Sequence, residues 1–109
     1  MLESLFGNIT IEKILFFLNV YEKGYPKGMA DLFKIPVNGV QQQLRRLEDG
    51  GVVVSILHGR TRMYQFNPRY PFLKELKELL NKSMQFMPEE EIEKYYKMRQ
   101  RPRRKGKPL

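Results

Sequence analysis

Apolar residues in the first part of the chain recur at helical spacing. Residues 10–23 place Ile11, Ile14, Leu15, Leu18 and Tyr21 on one face, which predicts an amphipathic helix. Thr10 stands where a helix cap is expected, and Gly24 stands where a terminating glycine is expected. Phe16 and Val20 point away from this face, so we expect a second surface to pack on them.

Two shorter helices are predicted next, with a proline between them. The first covers residues 27–34, and its apolar positions are Met29, Leu32 and Phe33. It should end before Pro36, which disfavours helical geometry at the preceding residue. The second covers residues 39–49, and its apolar stripe is Val40, Leu44 and Leu47. Asn38 and Gln41 have the spacing of a capping box, and the pair of helices is typical of a helix-turn-helix.

The hydrophobic pattern then changes to an extended one. Residues 52–57 are apolar and β-branched, residues 58–60 are turn-like, and residues 61–66 alternate. Thr61, Met63 and Gln65 should share one face of the second strand, and Arg62, Tyr64 and Phe66 the other. The two segments predict a β-hairpin with a basic tip, in which we expect Tyr64 and Phe66 to pack on the core.

Helical spacing returns in the C-terminal part. Residues 71–82 carry a wide apolar stripe of Phe72, Leu73, Leu76, Leu79 and Leu80. Pro88 and the three glutamates after it form a good helix start, and this last helix should run to about Arg99. Residues 100–109 have no apolar stripe, so we expect them to be disordered unless bound.

Composition restricts the chemistry of the chain. Its 109 residues correspond to one domain, with no cysteine and one histidine, which excludes disulfide scaffolds, thiol catalysis and multi-histidine metal sites. We expect neither a metal nor a cofactor, no membrane segment, and a cytoplasmic location. The glutamates at 89–91 are explained by a helix start and His58 by a turn, so the sequence indicates no enzyme.

The charge is strongly basic and unevenly distributed. The formal net charge is +8, and seven of the 20 basic residues lie after residue 96, where there is no acid. Between residues 34 and 69 there are six bases and two acids. A basic chain indicates a polyanionic partner, although a terminal run of charge is often only solvated.

The order of these elements resembles the winged helix-turn-helix, and specifically the ArsR-like and MarR-like regulators of bacteria and archaea. The resemblance covers about residues 5–70. It is carried by Met29-Ala30-Asp31-Leu32-Phe33, by the segment from Val40 to Val53 that ends Leu-Glu-Asp-Gly-Gly-Val-Val, and by Gly59-Arg60-Thr61-Arg62-Met63-Tyr64. It implies a mainly α fold with a small antiparallel β-hairpin: a winged helix-turn-helix with additional C-terminal helices.

The resemblance also implies double-stranded DNA as the partner. The helix at 39–49 would lie in the major groove, and the wing at 58–62 would reach the backbone or the minor groove. The implied DNA-binding residues are Asn38, Gly39, Gln41, Gln42, Arg45, Arg46, Gly59, Arg60, Thr61 and Arg62. Glutamine can form two hydrogen bonds with the edge of adenine, and arginine can form two with the edge of guanine. The three glutamines at 41–43 are also explained as an ordinary polar face of the helix.

A homodimer is implied as well, with residues 1–70 as the DNA-binding domain, 71–99 as dimerisation helices and 100–109 as a basic tail. The expected interface residues are Phe16, Val20, Leu73, Leu76, Leu80, Tyr95 and Tyr96. Metal-sensing relatives use Cys and His ligands that this chain lacks. Met84, Phe86 and Met87 either pack in the core or dimer, or line an effector pocket.

Two alternatives remain open at this stage. Winged helices also serve as protein-interaction adaptors, here for a separate enzymatic subunit. The basic tail is alternatively an RNA-binding segment.

Overall fold

The computed structural model describes residues 1–97, and the predicted basic tail lies outside the described residues, as do residues 98 and 99. The helices are α1 (Glu3–Phe6), α2 (Ile9–Tyr21), α3 (Pro26–Phe33), α4 (Val37–Asp49) and α5 (Leu73–Met84). A short helix α6 (Glu89–Glu91) continues into a π-helical turn at Ile92–Tyr96. The strands are β1 (Lys23–Gly24), β2 (Val53–His58) and β3 (Thr61–Phe66). The predicted class, mainly α with a small antiparallel sheet, is confirmed.

Helix α2 forms the centre of the core, and its predicted stripe is buried at Ile11, Ile14, Leu15 and Leu18. Its predicted cap was wrong. Asn8, not Thr10, caps the helix, because the Asn8 Oδ1 atom accepts a hydrogen bond from the Ile11 amide at 2.7 Å. The helix ends at Tyr21, and the next residue, Glu22, has a positive φ of 73°.

Gly24 does not end α2 but belongs to strand β1, which the sequence did not predict. It is buried and pairs with Tyr64 of β3. A Cβ atom at this position would overlap the Phe17 ring and lie 3.0 Å from Met29 Cε. Glycine is therefore favoured here, because a larger residue would have to displace the Phe17 ring and the end of the Met29 side chain.

Helices α3 and α4 form the predicted helix-turn-helix. Lys34 leaves α3 with a left-handed φ of 58°, and α4 begins at Val37, two residues before the predicted start. The predicted capping box of Asn38 and Gln41 is not formed. Both residues lie inside α4 after Pro36, and within residues 1–97 no side chain caps this helix.

The hairpin of β2 and β3 has the predicted turn, and its register runs from Val53 opposite Phe66 to His58 opposite Thr61. Gly59 in the turn has a positive φ of 61°, which favours glycine. The strand order is β1-β3-β2. Tyr64 and Phe66 are buried as expected, and Met63 on the opposite face of β3 is buried too.

The C-terminal helices share the core of the N-terminal part. Leu80, Met87 and Tyr96 belong to the same buried cluster as α2, so the predicted boundary at residue 70 does not separate two cores. The Tyr96 ring lies 5.6 Å from the Phe16 ring, centroid to centroid. Helix α5 begins two residues later than predicted, and a π-helical turn replaces the expected regular last helix.

This packing corrects part of the expected dimer interface. Phe16, Leu80 and Tyr96 are buried inside the single chain, where they offer no surface to a second copy. The second surface expected on Phe16 is thus the chain's own C-terminal segment. The other expected interface residues are only partly buried: Val20, Leu73, Leu76 and Tyr95.

Candidate nucleic-acid interface

Helix α4 has one buried face and one exposed polar face. Val40, Leu44 and Leu47 anchor it in the core. The residues of its exposed face include Asn38, Gln41, Gln42, Arg45 and Arg46, while Gly39 is half-buried. Gln43 turns toward α2, where its side-chain oxygen accepts a hydrogen bond from Asn8 Nδ2 at 3.2 Å. The burial of the apolar stripe fixes which face of the helix is exposed.

A groove of about 710 Å³ separates α4 from the wing. It brings together five of the predicted DNA-binding residues, namely Gln41, Arg45, Arg60, Thr61 and Arg62. The beginning of α3 closes the third side with Tyr25, Pro26 and Lys27. Among the described lining residues four are basic and one, Glu48, is acidic, so the groove is positive overall.

A hydrogen-bonded chain joins α4 to the wing through Ser55. The Ser55 hydroxyl donates to Glu48 Oε2 at 2.8 Å and accepts from Arg62 Nη1 at 3.2 Å. The Arg62 guanidinium is thus held at the base of the wing rather than at its tip. This chain orients the wing relative to α4, because its members come from the helix and from both strands.

Tyr64 forms the floor of this groove and packs on the core. Burial raises the pKa of its hydroxyl, and the nearby Glu48 carboxylate raises that pKa further. Arg62 and Arg45 oppose this change and lower the pKa. The phenol therefore stays neutral at physiological pH and adds no negative charge to the groove.

The tip of the wing is tied to the body of the fold. The Tyr25 hydroxyl lies 3.0 Å from His58 Nδ1, and the Thr61 hydroxyl donates to the His58 carbonyl oxygen at 3.0 Å. Arg60, next to Gly59 in the turn, is exposed. The contact with Tyr25 limits how far the tip can move from the start of α3.

Not every predicted DNA-binding residue lies in the groove. Asn38, Gly39 and Gln42 lie on α4 outside the groove, and Gly59 lies at the tip of the wing. Arg46 is separated from them, because it lines a different cleft with apolar residues that include Leu5, Tyr70 and Leu76.

Several groove residues are not among those predicted from the sequence. Tyr25, Pro26 and Val37 line the groove because α3 and α4 meet there, which is a tertiary contact without a local signal. Glu48 had a signal, since Gln41, Arg45 and Glu48 follow the i, i+4, i+7 spacing of one helical face. That spacing predicts that Glu48 shares the groove with the other two side chains.

Two negative findings concern the described residues only. Within residues 1–97 there is no group of three or more His, Cys, Asp or Glu side chains that could hold a metal ion. In the same part of the chain, no helix has the length and apolar character needed to cross a membrane.

The fold is similar to that of the adhesin competence repressor from Streptococcus pyogenes, with a TM-score of 0.52. The likeness covers 84% of this chain and 78% of that chain, at 16% sequence identity. No protein-family model matches the chain, and no curated protein matches its sequence. At this level of identity the likeness shows the fold, and the predicted winged-helix fold is confirmed.

Proposed function

We propose that this protein is a transcriptional regulator that binds double-stranded DNA as a homodimer, with no enzymatic activity of its own. The observation that carries the proposal is the continuous surface made by the exposed polar face of α4 and the basic groove beside the wing. The neighbour of similar fold is named a repressor, which agrees with this proposal.

In this proposal α4 reads base edges in the major groove. Gln41 and Gln42 have the paired donor and acceptor that suit adenine, and Arg45 has the fork that suits guanine. The open space around Gly39 lets the helix backbone approach a phosphate closely. Asn38 contributes at the same end of the helix, where free amides and the helix dipole favour an anion.

The wing supplies contacts beside the major groove. Arg60 and Thr61 reach the DNA backbone or a narrow minor groove. Gly59 has no side chain, so the tip of the wing stays narrow at this position. Arg62 binds phosphate from the base of the wing, where Ser55 holds it. Arg46 faces another cleft, so its role is restricted to a flanking phosphate or to packing.

A dimer gives this surface the symmetry of a palindromic site. Two α4 helices related by a two-fold axis would meet half-sites about 10 bp apart. The partly buried residues Val20, Leu73, Leu76 and Tyr95 stay as candidate helical contacts for the second copy. The candidate interface no longer includes Phe16, Leu80 and Tyr96, because these three residues lie in the core.

The test is fluorescence anisotropy with the DNA upstream of the gene and a scrambled duplex, each at two salt concentrations. Wild-type protein is expected to prefer the first duplex by about a thousandfold or more, as specific binders do. The Gln42→Ala/Arg45→Ala double variant should lose most of this preference. Each bidentate side-chain contact with a base that is removed costs about 1–3 kcal/mol of discrimination.

The matched control is the Lys82→Ala/Gln85→Ala double variant, which removes the same kinds of side chain from exposed positions at the end of α5. It should keep the preference. Equal and strongly salt-dependent binding of both duplexes by the wild type would contradict base reading by α4. Tight binding of a separate protein, without affinity for DNA, would favour the adaptor function. A preference for RNA over DNA would favour RNA binding through the basic tail.

A further inference from the structure

Among residues 1–97, strand β2 is an unpaired edge of the sheet. In the strand order β1-β3-β2, only one side of β2 is bonded to β3. Its sequence, Val-Val-Ser-Ile-Leu-His, has no Lys, Glu, Asp, Arg, Pro or Gly. Natural edge strands usually carry such residues, because they prevent pairing with another chain. This edge therefore lacks the usual protection.

The register shows which backbone groups face the open side. The Val52 carbonyl oxygen accepts a hydrogen bond from the Asn67 amide at 2.9 Å, next to the pair Val53 and Phe66. Bonded pairs alternate along an antiparallel ladder, so the even-numbered residues of β2 bond to β3. The odd-numbered residues, Val53, Ser55 and Leu57, direct their N–H and C=O groups to the open edge.

Two large apolar side chains lie along the same edge. Ile56 is 47% exposed and Leu57 is 58% exposed, and they point to opposite faces of the sheet. In the part of the chain that the structure describes, no segment covers them. A partner strand would need to offer an apolar residue on each face.

We propose that a second copy of this chain pairs with β2 through its own β2, in antiparallel register centred on Ser55. This register places Ser55 opposite Ser55 and Leu57 opposite Val53, so the outward backbone groups of the odd residues meet. On the other face it places Ile56 opposite Val54. Each exposed side chain thus gains an apolar neighbour, and the contact is the same from both sides, as a two-fold interface requires.

The charges agree with this register. Pairing centred on Ser55 brings the wing tip of one copy beside the turn at residues 50–52 of the other. Arg60 at the tip then approaches Asp49 of the second copy, and both side chains are exposed in the single chain. A basic tip beside an acidic helix end favours this arrangement over the parallel one, in which equal charges would face each other.

The pairing engages no residue of the candidate DNA-binding groove except Arg60, which lies at its edge and is approached by Asp49 of the second copy. No residue of β2 lines that groove, which is built from α3, α4, the turn and β3. The result is a continuous six-stranded sheet with both α4 helices on the same face. The inference rests on the homodimer within the proposed function. It assigns the contact of that dimer to β2 in place of the helical candidates Val20, Leu73, Leu76 and Tyr95, and it is independent of base reading by α4.

The first experiment uses the absence of cysteine from the chain. Directly opposed residues of a bonded antiparallel pair have Cα atoms about 5.5 Å apart, which lies within the usual range for a disulfide. Ser55→Cys should therefore form a disulfide-linked dimer as the major species under mild oxidation. Ser4→Cys, the same change at an exposed site in α1, should give little disulfide-linked dimer, because the non-covalent dimer places no second copy of residue 4 opposite it.

The second experiment measures mass by sedimentation equilibrium from low micromolar to sub-millimolar concentration. The wild type should reach twice the mass of one chain, and Ile56→Lys/Leu57→Lys should raise the dissociation constant at least tenfold. Leu5→Lys, at an apolar position that is 68% exposed on α1, should leave it unchanged.

A monomeric wild type would overturn both the β2 pairing and the dimer. A wild-type dimer that survives the Lys changes in β2, without cross-linking at residue 55, would overturn the β2 pairing only. Anisotropy with DNA, measured separately, would still decide the proposed DNA binding.

Discussion

At the residue scale, the hydroxyl of Tyr96 is buried without a hydrogen-bond partner among the described residues. An unsatisfied buried donor costs about 1–3 kcal/mol. Tyr96→Phe is therefore expected to raise the free energy of unfolding by about 1 kcal/mol in urea denaturation. Tyr21→Phe is the control, because the Tyr21 hydroxyl donates to the Tyr95 carbonyl at 2.9 Å. It should lower stability, and equal effects of the two changes would contradict the prediction.

The same tyrosine predicts a pH dependence. Burial raises the pKa of Tyr96 above the ordinary value of 10.0, and Glu91 and Glu12 raise it further. Above about pH 10 the unfolded chain loses this proton while the folded chain keeps it, so wild-type stability falls as pH rises. The stability difference between Tyr96→Phe and wild type should widen above pH 10, as measured by urea denaturation. A constant difference would contradict the burial of this hydroxyl.

Gly24 is closely surrounded by side chains, whereas Gly28 has open space around it. Alanine at these two positions is therefore predicted to change stability in opposite directions. At Gly24 an added methyl would overlap the Phe17 ring, which is itself held 4.6 Å from the Tyr21 ring, centroid to centroid. Gly24→Ala should destabilise the fold by about 1–3 kcal/mol, as overpacking does. Gly28 in α3 has open space around it, so Gly28→Ala should stabilise by about 0.5–1 kcal/mol. Urea denaturation of both variants checks the sign of each effect.

At the element scale, the structure distinguishes two asparagines that both precede apolar helical stripes. Asn8 caps α2, whereas Asn38 lies inside α4 and is exposed. Asn8→Ala should lower the free energy of unfolding by about 1 kcal/mol. Asn38→Ala should change it by less than about 0.5 kcal/mol, as for an ordinary surface position. Thermal and urea unfolding measure both, and a larger loss at Asn38 would restore the capping box.

The helices and strands show which elements the sequence pattern predicts and which it does not. Helices and strands were predicted to within one or two residues for α2, α3, α4, β2, β3 and α5, because each carries its own periodic burial. Strand β1 was missed, because two residues are too short for a pattern and exist only through pairing with β3. The π-helical turn at Ile92–Tyr96 was missed too, because the sequence pattern there predicts a regular helix.

At the scale of the whole molecule, charge is concentrated at the C-terminus. Residues 98–109 contain six of the 20 basic residues, so deleting them lowers the formal net charge from +8 to +2. If the tail neutralises phosphates, binding should weaken equally for both duplexes. The logarithmic salt slope should then fall by about 0.9 for each phosphate that the shortened chain leaves unneutralised. Anisotropy over a salt series measures this, with the preference between duplexes as the internal control. An unchanged slope would exclude the tail from DNA binding.

The candidate site was predicted in part. The polar face of α4 and the basic wing follow from residue type and helical spacing, and five of the ten predicted residues line one groove. Arg46 was grouped with Arg45 by its neighbouring position in sequence. One residue is a rotation of about 100° on a helix, which takes Arg46 into another cleft.

The sequence by itself determined the order of helices and strands, because side-chain periodicity is a local property of the backbone. It also determined which face of α4 is buried and where the basic charges lie. Only the tertiary structure decided that Phe16, Leu80 and Tyr96 serve the chain's own core, that Gly24 lies against the side chains of Phe17 and Met29, and that Ser55 joins Glu48 to Arg62. These features depend on contacts between residues distant along the chain, and such contacts exist only once the elements have packed.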